Sequence, residues 1–421
     1  MRKILFTILL TAALAGGTCL AQADAASSGS QAALQAHPSP YNFPGVQYPR
    51  IEADSRVTFR FNAPDAQKVQ VSIVNVPFDM VKGDDGAWTY TTSEPQAPGY
   101  HNYWMIVDGA VVIDPGTNAF IGYGHMCNGF EVPDPEGDFY QLKDVPHGNV
   151  LIKNYFSKTA NSWRHIFIYT PPGYETNTST RYPVLYLQHG GGEDERVWIE
   201  MGLTNRILDN LLAEGKVKPM IVVMETSAVG GPGGARRGAG RGFGAGAGSR
   251  AGRGAPQAGE RSAGQGAGAR RRGGFGGMMG GMGGGAYGQL MINDLIPWID
   301  SNFRTLADQP HRAMAGLSMG AMITRQVTLA NLDTFSHIGL FSGGTISTND
   351  VNNTPGFKEK VKLVFMSYGS LERGSATVKN AADALQQADI NGVSYVSPGT
   401  AHEWQSWRRS LYHFSQLLFQ D

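Results

Sequence analysis

Apolar strands that alternate with helical segments constrain the fold of this chain most strongly. From about residue 150 onward, short apolar runs such as "RHIFIYTPP", "YPVLYLQHG", "MIVVMET" and "KLVFMSYG" are separated by segments such as "LTNRILDNLLAEG" and "VKNAADALQQAD". Strands that are apolar throughout and are joined by helices are typical of a mostly parallel sheet buried on both faces. The sequence therefore predicts an α/β domain over residues 150–421.

The preceding region has the pattern of a different fold. Residues 45–140 contain strand-like runs such as "RVTFRFNAP", "KVQVSIVNV", "AWTYTTS" and "YHNYWMIVDG", separated at short intervals by Pro, Gly and Asp. Short strands with frequent turn residues predict a small antiparallel β-sandwich of the immunoglobulin-like type. Residues 24–44 are predicted to be a flexible linker.

The amino terminus has the form of a secretion signal. Residues 1–23 contain two cations, an apolar run and the small-residue pattern Ala21-Gln22-Ala23, which predicts cleavage after Ala23 and export to the periplasm or the extracellular space. Lipidation at Cys19 is the alternative, but the preceding Thr18 is not the small residue that lipidation signals favour. No later apolar run reaches the length needed to cross a bilayer, so no membrane span is expected.

A low-complexity insert interrupts the α/β domain. Residues 229–286 consist almost wholly of Gly, Ala and Arg, with nine arginines and Glu260 as the one acid. Such a segment has no apolar face to bury and is predicted to be disordered. The formal net charge of the whole chain is zero, so the insert is basic and the rest of the mature chain is acidic.

The two cysteines exclude an intramolecular disulfide in the mature protein. If Cys19 leaves with the signal peptide, Cys127 has no partner. There is also no cluster of Cys and His with the spacing of a structural zinc site. We therefore expect stability to come from apolar burial, and we expect neither a metal nor an organic cofactor.

The pentapeptide "GLSMG" at residues 316–320 contains the candidate nucleophile. In a chain with 56 glycines, one such match can be a Gly-flanked turn serine. Its position favours a catalytic serine, because a strand precedes the pentapeptide and a helix follows it. In that context a sharp turn raises the serine hydroxyl above the sheet, so Ser318 is the predicted nucleophile.

A serine nucleophile needs a base and an acid that follow it in the chain. His402 follows a strand and the turn "SPGTA", whereas His337 opens an apolar strand and His413 falls in the final helix. We therefore predict that His402 is the base. Glu372, just past the strand "KLVFMSYG", is the predicted acid, with Asp350, Asp383 and Asp389 as competitors.

Two backbone N–H groups are expected to stabilise the oxyanion. Met319 follows the nucleophile and supplies the first. The loop "YLQHGGGED" follows an earlier strand, and its glycines allow the main chain to approach the substrate carbonyl. We predict that Gly191 supplies the second donor.

These motifs resemble those of a known enzyme family. The segments "YLQHGGGED", "AGLSMGA", "SYGSLE" and "SPGTAHEWQSWRRSLYHF" are similar to those of carbohydrate esterase family 1, the esterase D-like group, which includes feruloyl and acetylxylan esterases. The resemblance covers residues 150–421 apart from the insert. It implies an α/β-hydrolase fold with Ser318 as nucleophile, Glu372 as acid and His402 as base.

The resemblance has two departures and one extension. The acid is Glu where many relatives carry Asp, and the basic insert has no counterpart in the family pattern. The amino-terminal region resembles the early-set, immunoglobulin-like domain related to carbohydrate-binding module family 48, which often precedes such esterases.

Aromatic residues near the motifs are candidates for substrate contact. Trp198 follows the oxyanion loop, Trp404 follows the base, and His189 opens the oxyanion loop. Indole rings stack on sugars and on phenolic acyl groups, although each of these residues could instead pack the core. For Trp407 the core reading is preferred.

The sequence as a whole predicts an exported serine esterase. Its substrate would be an acylated plant polysaccharide such as feruloylated or acetylated xylan, with feruloyl favoured. One alternative is an acyltransferase of the same fold, and another is a catalytically dead glycan-binding protein. A polyanion- or RNA-binding protein that uses the insert is a third alternative, but no nucleic acid is expected as a partner.

Overall fold

The computed structural model describes residues 35–229 and 284–420. The predicted signal peptide (1–23), the first part of the predicted linker (24–44) and nearly all of the predicted Gly/Arg insert (229–286) lie outside the described residues. Within the two described ranges, no helix is both long and apolar enough to span a membrane.

Eleven short strands of the described residues form the amino-terminal domain. They are β1 (His37–Pro38), β2 (Arg50–Ile51), β3 (Val57–Asn62), β4 (Val69–Ile73), β5 (Val76–Asp79), β6 (Val81–Lys82), β7 (Ala87–Thr91), β8 (Gly99–Val107), β9 (Ala110–Val112), β10 (Ala119–Gly122) and β11 (His125–Val132). One antiparallel sheet has the order β1-β2-β3-β7-β6. The other has the order β10-β11-β8-β4-β5, with β9 paired to β8.

A shared apolar core joins the two sheets of this domain. The ring of Phe59 on β3 lies 5.0 Å from that of Tyr103 on β8 and 5.6 Å from that of Phe130 on β11. All three side chains are fully buried. The domain is therefore a two-layered antiparallel structure, as the alternating pattern predicts. Its assignment to the immunoglobulin-like class stays a prediction.

The described part of the predicted linker is ordered against this domain. Strand β1 pairs with β2, and the N–H of Phe43 donates to the carbonyl oxygen of Gly116 at 2.9 Å. The ring of Tyr41 packs edge-on against Tyr100 and Phe120. The prediction of a flexible linker up to residue 44 was wrong for these residues, because aromatic burial holds the segment in place.

The carboxy-terminal domain contains an eight-stranded sheet. Its strands are β12 (Asn149–Ser157), β13 (Ser162–Thr170), β14 (Val184–Gln188), β15 (Ile221–Glu225), β16 (Arg312–Leu317), β17 (His337–Phe341), β18 (Leu363–Gly369) and β19 (Gly392–Ser397). The order is β12-β13-β15-β14-β16-β17-β18-β19. Only β13 runs antiparallel to the other strands, so the predicted mostly parallel sheet and the α/β-hydrolase type of fold are confirmed.

Helices cover both faces of this sheet. They are α1 (Val197–Glu200), α2 (Thr204–Ala213), α3 (Gly284–Leu290), α4 (Ile296–Asn302), α5 (Met319–Ala330), α6 (Thr348–Asn352), α7 (Phe357–Lys360), α8 (Ser375–Gln387) and α9 (Trp404–Ser415). A π-helical turn (Met291–Leu295) joins α3 to α4. Helix α3 begins at Gly284, so the predicted insert reaches too far by three residues.

Strand β14 shows why its sequence is apolar throughout. Leu185 and Leu187 point into the core that α2 and α9 cover, whereas Val184 and Tyr186 point into the core that α3 to α5 cover. Since alternate side chains of a strand face opposite sides, a strand buried on both faces needs apolar residues at every position. The loops after β14, β16, β18 and β19 meet at the carboxyl edge of the sheet, where such folds place their sites.

Candidate active site

Ser318 lies at a sharp turn between β16 and α5. Its backbone has φ 52° and ψ −117°, a conformation that residues with a side chain rarely adopt. The Ser318 N–H donates to the carbonyl oxygen of Phe341 on the neighbouring strand at 2.7 Å. The strand, the strained turn and the helix are those that the pentapeptide predicts for an exposed serine hydroxyl.

The glycines that flank this serine are required by close backbone contacts. A Cβ atom at Gly316 would lie 2.6 Å from the backbone of Gly320, and a Cβ atom at Gly320 would lie 2.4 Å from the carbonyl oxygen of His189. Both distances are far below a van der Waals contact. The turn therefore packs tightly against the loop after β14, which brings Ser318 and that loop together.

A chain of two hydrogen bonds connects Ser318, His402 and Glu372. His402 Nε2 lies 2.9 Å from Ser318 Oγ, and His402 Nδ1 lies 2.7 Å from Glu372 Oε2. An ionised carboxylate can only accept, so Nδ1 carries the proton and Nε2 can accept from the serine hydroxyl. The structure thus brings the three predicted triad residues together in the geometry of nucleophile, base and acid.

The surroundings of Glu372 keep its carboxyl ionised. Burial alone would raise its pKa, but hydrogen bonds from His402, from Ser342 Oγ and from the Gly369 N–H outweigh burial and hold the pKa below its usual value. The indole N–H of Trp407 in turn donates to Ser342 Oγ at 3.1 Å. The acid is therefore oriented by partners on three different elements.

The competing acids have other partners. Asp350 forms the capping box of α6 with Ser347 and an ion pair with Arg325. Asp383 pairs with Lys379 on the exposed face of α8, at 2.7 Å. Asp389 follows α8. Only Glu372 among the four candidates bonds to His402 in the described part of the chain.

The other two histidines after the nucleophile pack elsewhere. His337 is buried at the start of β17, where its ring contacts Phe419. The ring of His413 on α9 packs on that of Tyr395, at 4.1 Å between centroids. Both rings therefore have packing contacts away from Ser318.

The predicted oxyanion donors lie next to the serine. Met319 is the first residue of α5, and a Cβ atom at Gly191 would lie 3.9 Å from Met319 Cβ. Gly191 also lines the cavity beside Ser318. The loop after β14 therefore brings its glycine backbone to the nucleophile, as the prediction of these donors requires.

Glu193 is a site residue that the sequence reasoning missed. Its Oε2 accepts a hydrogen bond from the Gly190 N–H at 2.7 Å, and its side chain lines the same cavity. Burial raises the pKa of the Glu193 carboxyl to about 8, more than the Gly190 hydrogen bond lowers it. The acid directly after the glycines in "HGGGED" was the signal that could have identified it.

A cleft opens at Ser318. The carboxy-terminal domain supplies the larger part of its wall, namely Gly190, Gly191, Glu193, Leu317, Ser318, His402, Glu403, Trp404 and Trp407. The amino-terminal domain supplies Val74, Tyr100, Asn102 and Tyr123. That the two domains share this cleft could not be predicted from the sequence, because domain packing leaves no local pattern.

The tryptophans that line the cleft are not the same ones that the sequence predicts. Trp404 lines the cleft as predicted, and Trp407 is nearly buried and packs in the core, as preferred for it, while it also lines the cleft. Trp198 is a correction. It is 1% exposed, its indole N–H donates to the carbonyl oxygen of Gln188, and it packs in the core rather than in the cleft wall.

His189 is also a correction. Its ring is buried, and burial lowers the pKa of the imidazole. Nδ1 bonds to the carbonyl oxygen of Gly190 at 2.7 Å, and Nε2 accepts from the N–H of Ser227 at 3.2 Å. The side chain therefore orders the oxyanion loop from behind instead of lining the cleft.

Comparisons with known proteins identify a family and a fold. The family model described as "Putative esterase" matches residues 157–237 and 278–416, which together make up more than half of the chain. A Shigella flexneri enterochelin esterase structure superposes with a TM-score of 0.58 at 15% identity, covering 87% of this chain and 92% of that one. At this identity the likeness shows the fold alone.

Two curated relatives are longer than this chain. An endo-1,4-beta-xylanase/feruloyl esterase of Xylanibacter ruminicola is 34% identical over 389 residues, which cover 91% of this chain and 47% of that protein. Endo-1,4-beta-xylanase Y of Acetivibrio thermocellus is 23% identical over 319 residues, which cover 68% of this chain and 24% of that protein. The chain thus spans less than half the length of either relative.

The family match covers β13 to α9, and hence the turn at Ser318, the acid loop and the loop of His402. The chain therefore belongs to this esterase family, and the matched residues form a carboxylic ester hydrolase domain.

Proposed function

We propose that the protein is a serine esterase that removes feruloyl or acetyl groups from plant cell-wall polysaccharide such as arabinoxylan. The hydrogen-bonded chain from Ser318 through His402 to Glu372, of which Ser318 and His402 line an open cleft, is the observation that carries the proposal. Reactive serines of this kind need a base within hydrogen-bond reach and an acid that orients it.

The reaction has two half-reactions. His402 Nε2 takes the proton of Ser318 Oγ as the oxygen attacks the ester carbonyl, and it then gives this proton to the departing sugar hydroxyl. Water, activated by the same nitrogen, hydrolyses the acyl-serine and releases the acid. The N–H groups of Met319 and Gly191 stabilise the oxyanion in both steps.

The cleft favours an aromatic acyl group over acetyl. Three aromatic side chains that retain exposed surface contribute to its wall, Tyr123, Trp404 and Trp407. Flat apolar walls of this kind suit a phenolic ring, whereas an acetyl group needs only a shallow pocket. The 34% identical relative is an endo-1,4-beta-xylanase/feruloyl esterase, which supports the same choice.

The proposed setting follows from the amino terminus. Residues 1–23 have the form of a secretion signal, so we place the enzyme outside the cytoplasm, where plant polysaccharide is met. Its partner is the acylated polysaccharide itself. The proposed chemistry uses only side-chain and backbone groups of the chain and requires no metal or organic cofactor.

Substrate profiling tests this function directly. The purified protein should hydrolyse methyl ferulate, p-nitrophenyl acetate and acetylated xylan with a higher kcat/KM for methyl ferulate. A preference for the acetyl esters would assign the enzyme to the acetylxylan esterases. Transfer to an added sugar acceptor that outruns hydrolysis would instead make it an acyltransferase.

A further inference from the structure

The amino-terminal domain contacts both loops that flank the reactive serine. The Gly124 N–H, between β10 and β11, donates to the carbonyl oxygen of Gly192 in the oxyanion loop at 2.9 Å. His101 Nδ1 on β8 lies 2.8 Å from the carboxylate of Glu403, the residue that follows His402. One domain thus binds the loop of the proposed oxyanion donor and the loop of the proposed base.

The tip of the β10–β11 hairpin consists of Tyr123 and Gly124. It fits closely against the oxyanion loop, which follows β14 and contains Gly191 and Gly192. Gly192 has φ 77°, and a Cβ atom there would lie 2.4 Å from the Gly124 nitrogen and 3.0 Å from the Tyr123 carbonyl carbon. Neither contact is with a flexible side chain that could move aside. Any side chain at position 192 would therefore displace the hairpin or the loop.

The same tip presents an aromatic ring to the cleft. Tyr123 has φ 55° and Gly124 has φ 82°, as expected for a two-residue hairpin turn. Tyr123 remains 43% exposed while it lines the cleft, and its ring centroid lies 5.2 Å from that of the buried Trp104. The ring is therefore supported by its own domain and stands at the wall of the cleft that the other domain encloses.

We propose that the amino-terminal domain is a working part of the esterase site, in which the hairpin tip positions the oxyanion loop and Tyr123 selects aromatic acyl groups. The proposal rests on the proposed ester hydrolysis at Ser318. A loop that supplies an oxyanion donor acts only if it is held in place before the reaction, since a displacement of about 1 Å can reduce the rate about a hundredfold. Tyr123 is a specificity-determining residue, and Gly124 is a positioning residue.

The positioning role is tested by Gly192→Ala with Gly173→Ala as its matched control. Gly173 has φ 79°, almost the value at Gly192, but a Cβ atom there would meet nothing within 4 Å. The two variants therefore share the backbone strain and differ in the contact with the hairpin. We expect Gly192→Ala to lower kcat by about 10–100-fold with little change in KM, and Gly173→Ala to keep the kcat of the unmodified protein. Equal kcat values in the two variants would overturn the positioning role.

The specificity role is tested by Tyr123→Asn and Tyr123→Phe. Asn is well suited to a positive φ, so the first variant removes the ring and keeps the turn. We expect Tyr123→Asn to lower kcat/KM for methyl ferulate by about 10-fold or more relative to p-nitrophenyl acetate, within the range of lost pocket contacts. Tyr123→Phe should retain the preference. Equal losses on both esters in Tyr123→Asn would overturn the specificity role.

Failure of this inference is distinguishable from failure of the proposed function. The unmodified protein and Ser318→Ala are assayed on the same two esters. Absence of Ser318-dependent hydrolysis would remove the proposed function and this inference with it. Ser318-dependent hydrolysis together with control-like behaviour of Gly192→Ala and Tyr123→Asn would remove the inference alone.

Discussion

The carboxylate of Glu372 and the imidazole of His402 are joined by a 2.7 Å hydrogen bond, although the first side chain is 8% exposed and the second 47%. A buried acid thus orients an accessible base. This difference suits the two tasks, because the base must reach the substrate and the acid must keep one geometry and stay ionised. The relative effects on kcat of replacing each triad residue follow from this difference.

Replacement of Ser318 by Ala should abolish most of the ester hydrolysis. The variant loses the attacking oxygen, and the cleft and the oxyanion donors alone leave a residual rate. We expect kcat to fall by at least about a thousandfold. Steady-state kinetics on methyl ferulate measures this loss, and retention of more than a tenth of the activity would contradict nucleophilic catalysis by Ser318.

Loss of the acid should be severe but smaller than loss of the base. Glu372→Ala leaves His402 able to accept the serine proton in a fraction of its orientations, whereas His402→Ala removes the base itself. We therefore expect kcat to fall further in His402→Ala than in Glu372→Ala.

Asp350→Asn is the matched control for the acid. Asp350 caps α6 and pairs with Arg325, so this variant should retain nearly full kcat even if its melting temperature is slightly lower. A silent Glu372→Ala combined with a crippled Asp350→Asn would show that the acid is misassigned.

Much of the carboxy-terminal domain could be predicted from the sequence because its signals are local. Ser318 and His402 follow strands with clear apolar patterns, and the flanking glycines mark the sharp turn at the serine. Trp198 and Trp404 could not be separated in the same way. Both are nearly fully buried and their ring centroids lie 5.3 Å apart, but only Trp404 lines the cleft.

The contribution of the amino-terminal domain was beyond local patterns. Tyr123 and Asn102 lie on strands or turns whose sequences describe a self-contained sheet, and nothing in those sequences indicates which loop of another domain they touch. The aromatic strand residues Trp88 and Tyr103 are buried in the core of this domain. Contacts between residues far apart in the chain decide both outcomes.

Glu193 should give the enzyme an alkaline limb in its pH profile. Its raised pKa of about 8 keeps the carboxyl neutral below that pH, and above it a negative charge forms beside the loop that stabilises the oxyanion. We expect kcat/KM to fall above pH about 8 in the unmodified protein. Glu193→Gln keeps an acceptor for the Gly190 N–H without a titrating charge, so this fall should be absent.

The neighbours of Glu193 should not produce this limb. Partial desolvation raises the pKa of Tyr123 above its usual value, and burial raises the pKa of Cys127 to about 12. Asp194, which also faces Glu193, is ion-paired with Arg196 at 2.8 Å. An unchanged alkaline limb in Glu193→Gln would therefore assign the limb to another group.

The same shift predicts how stability depends on pH. A carboxyl whose folded pKa lies above its unfolded value binds more protons when folded, so its contribution favours folding most at low pH and declines as pH rises from about 4.5 to about 8. Glu193→Gln removes this decline. The melting temperature of the variant relative to the unmodified protein should thus rise between pH 5 and pH 8, and a constant difference would contradict the assigned shift.

Trp404 and Trp407 line one cleft but should have different effects on acyl selectivity. The Trp407 indole N–H donates to Ser342 Oγ, which donates to Glu372. Trp407→Phe should therefore lower kcat on ferulate and acetate esters alike. Trp404→Leu should lower kcat/KM for methyl ferulate more than for p-nitrophenyl acetate, because it removes part of an aromatic wall. Equal losses on both esters in Trp404→Leu would mean that Trp404 supports the His402 loop instead.

Arg408 should be the side chain whose loss most weakens the contact between the domains. It is 1% exposed, and it donates to Glu131 of the amino-terminal domain at 2.8 Å and to the Met201 carbonyl oxygen at 2.7 Å. Removing one partner of a buried ion pair strands the other charge, so Arg408→Met should lose about 3–5 kcal/mol of unfolding free energy. Arg56→Met, which removes an exposed pair with Asp54, should lose less than about 1 kcal/mol.

Urea denaturation of both variants measures the difference, and the double variant Arg408→Met/Glu131→Leu should recover much of the loss because no charge remains stranded. Similar losses in Arg408→Met and Arg56→Met would show that the buried pair contributes no more than a surface one.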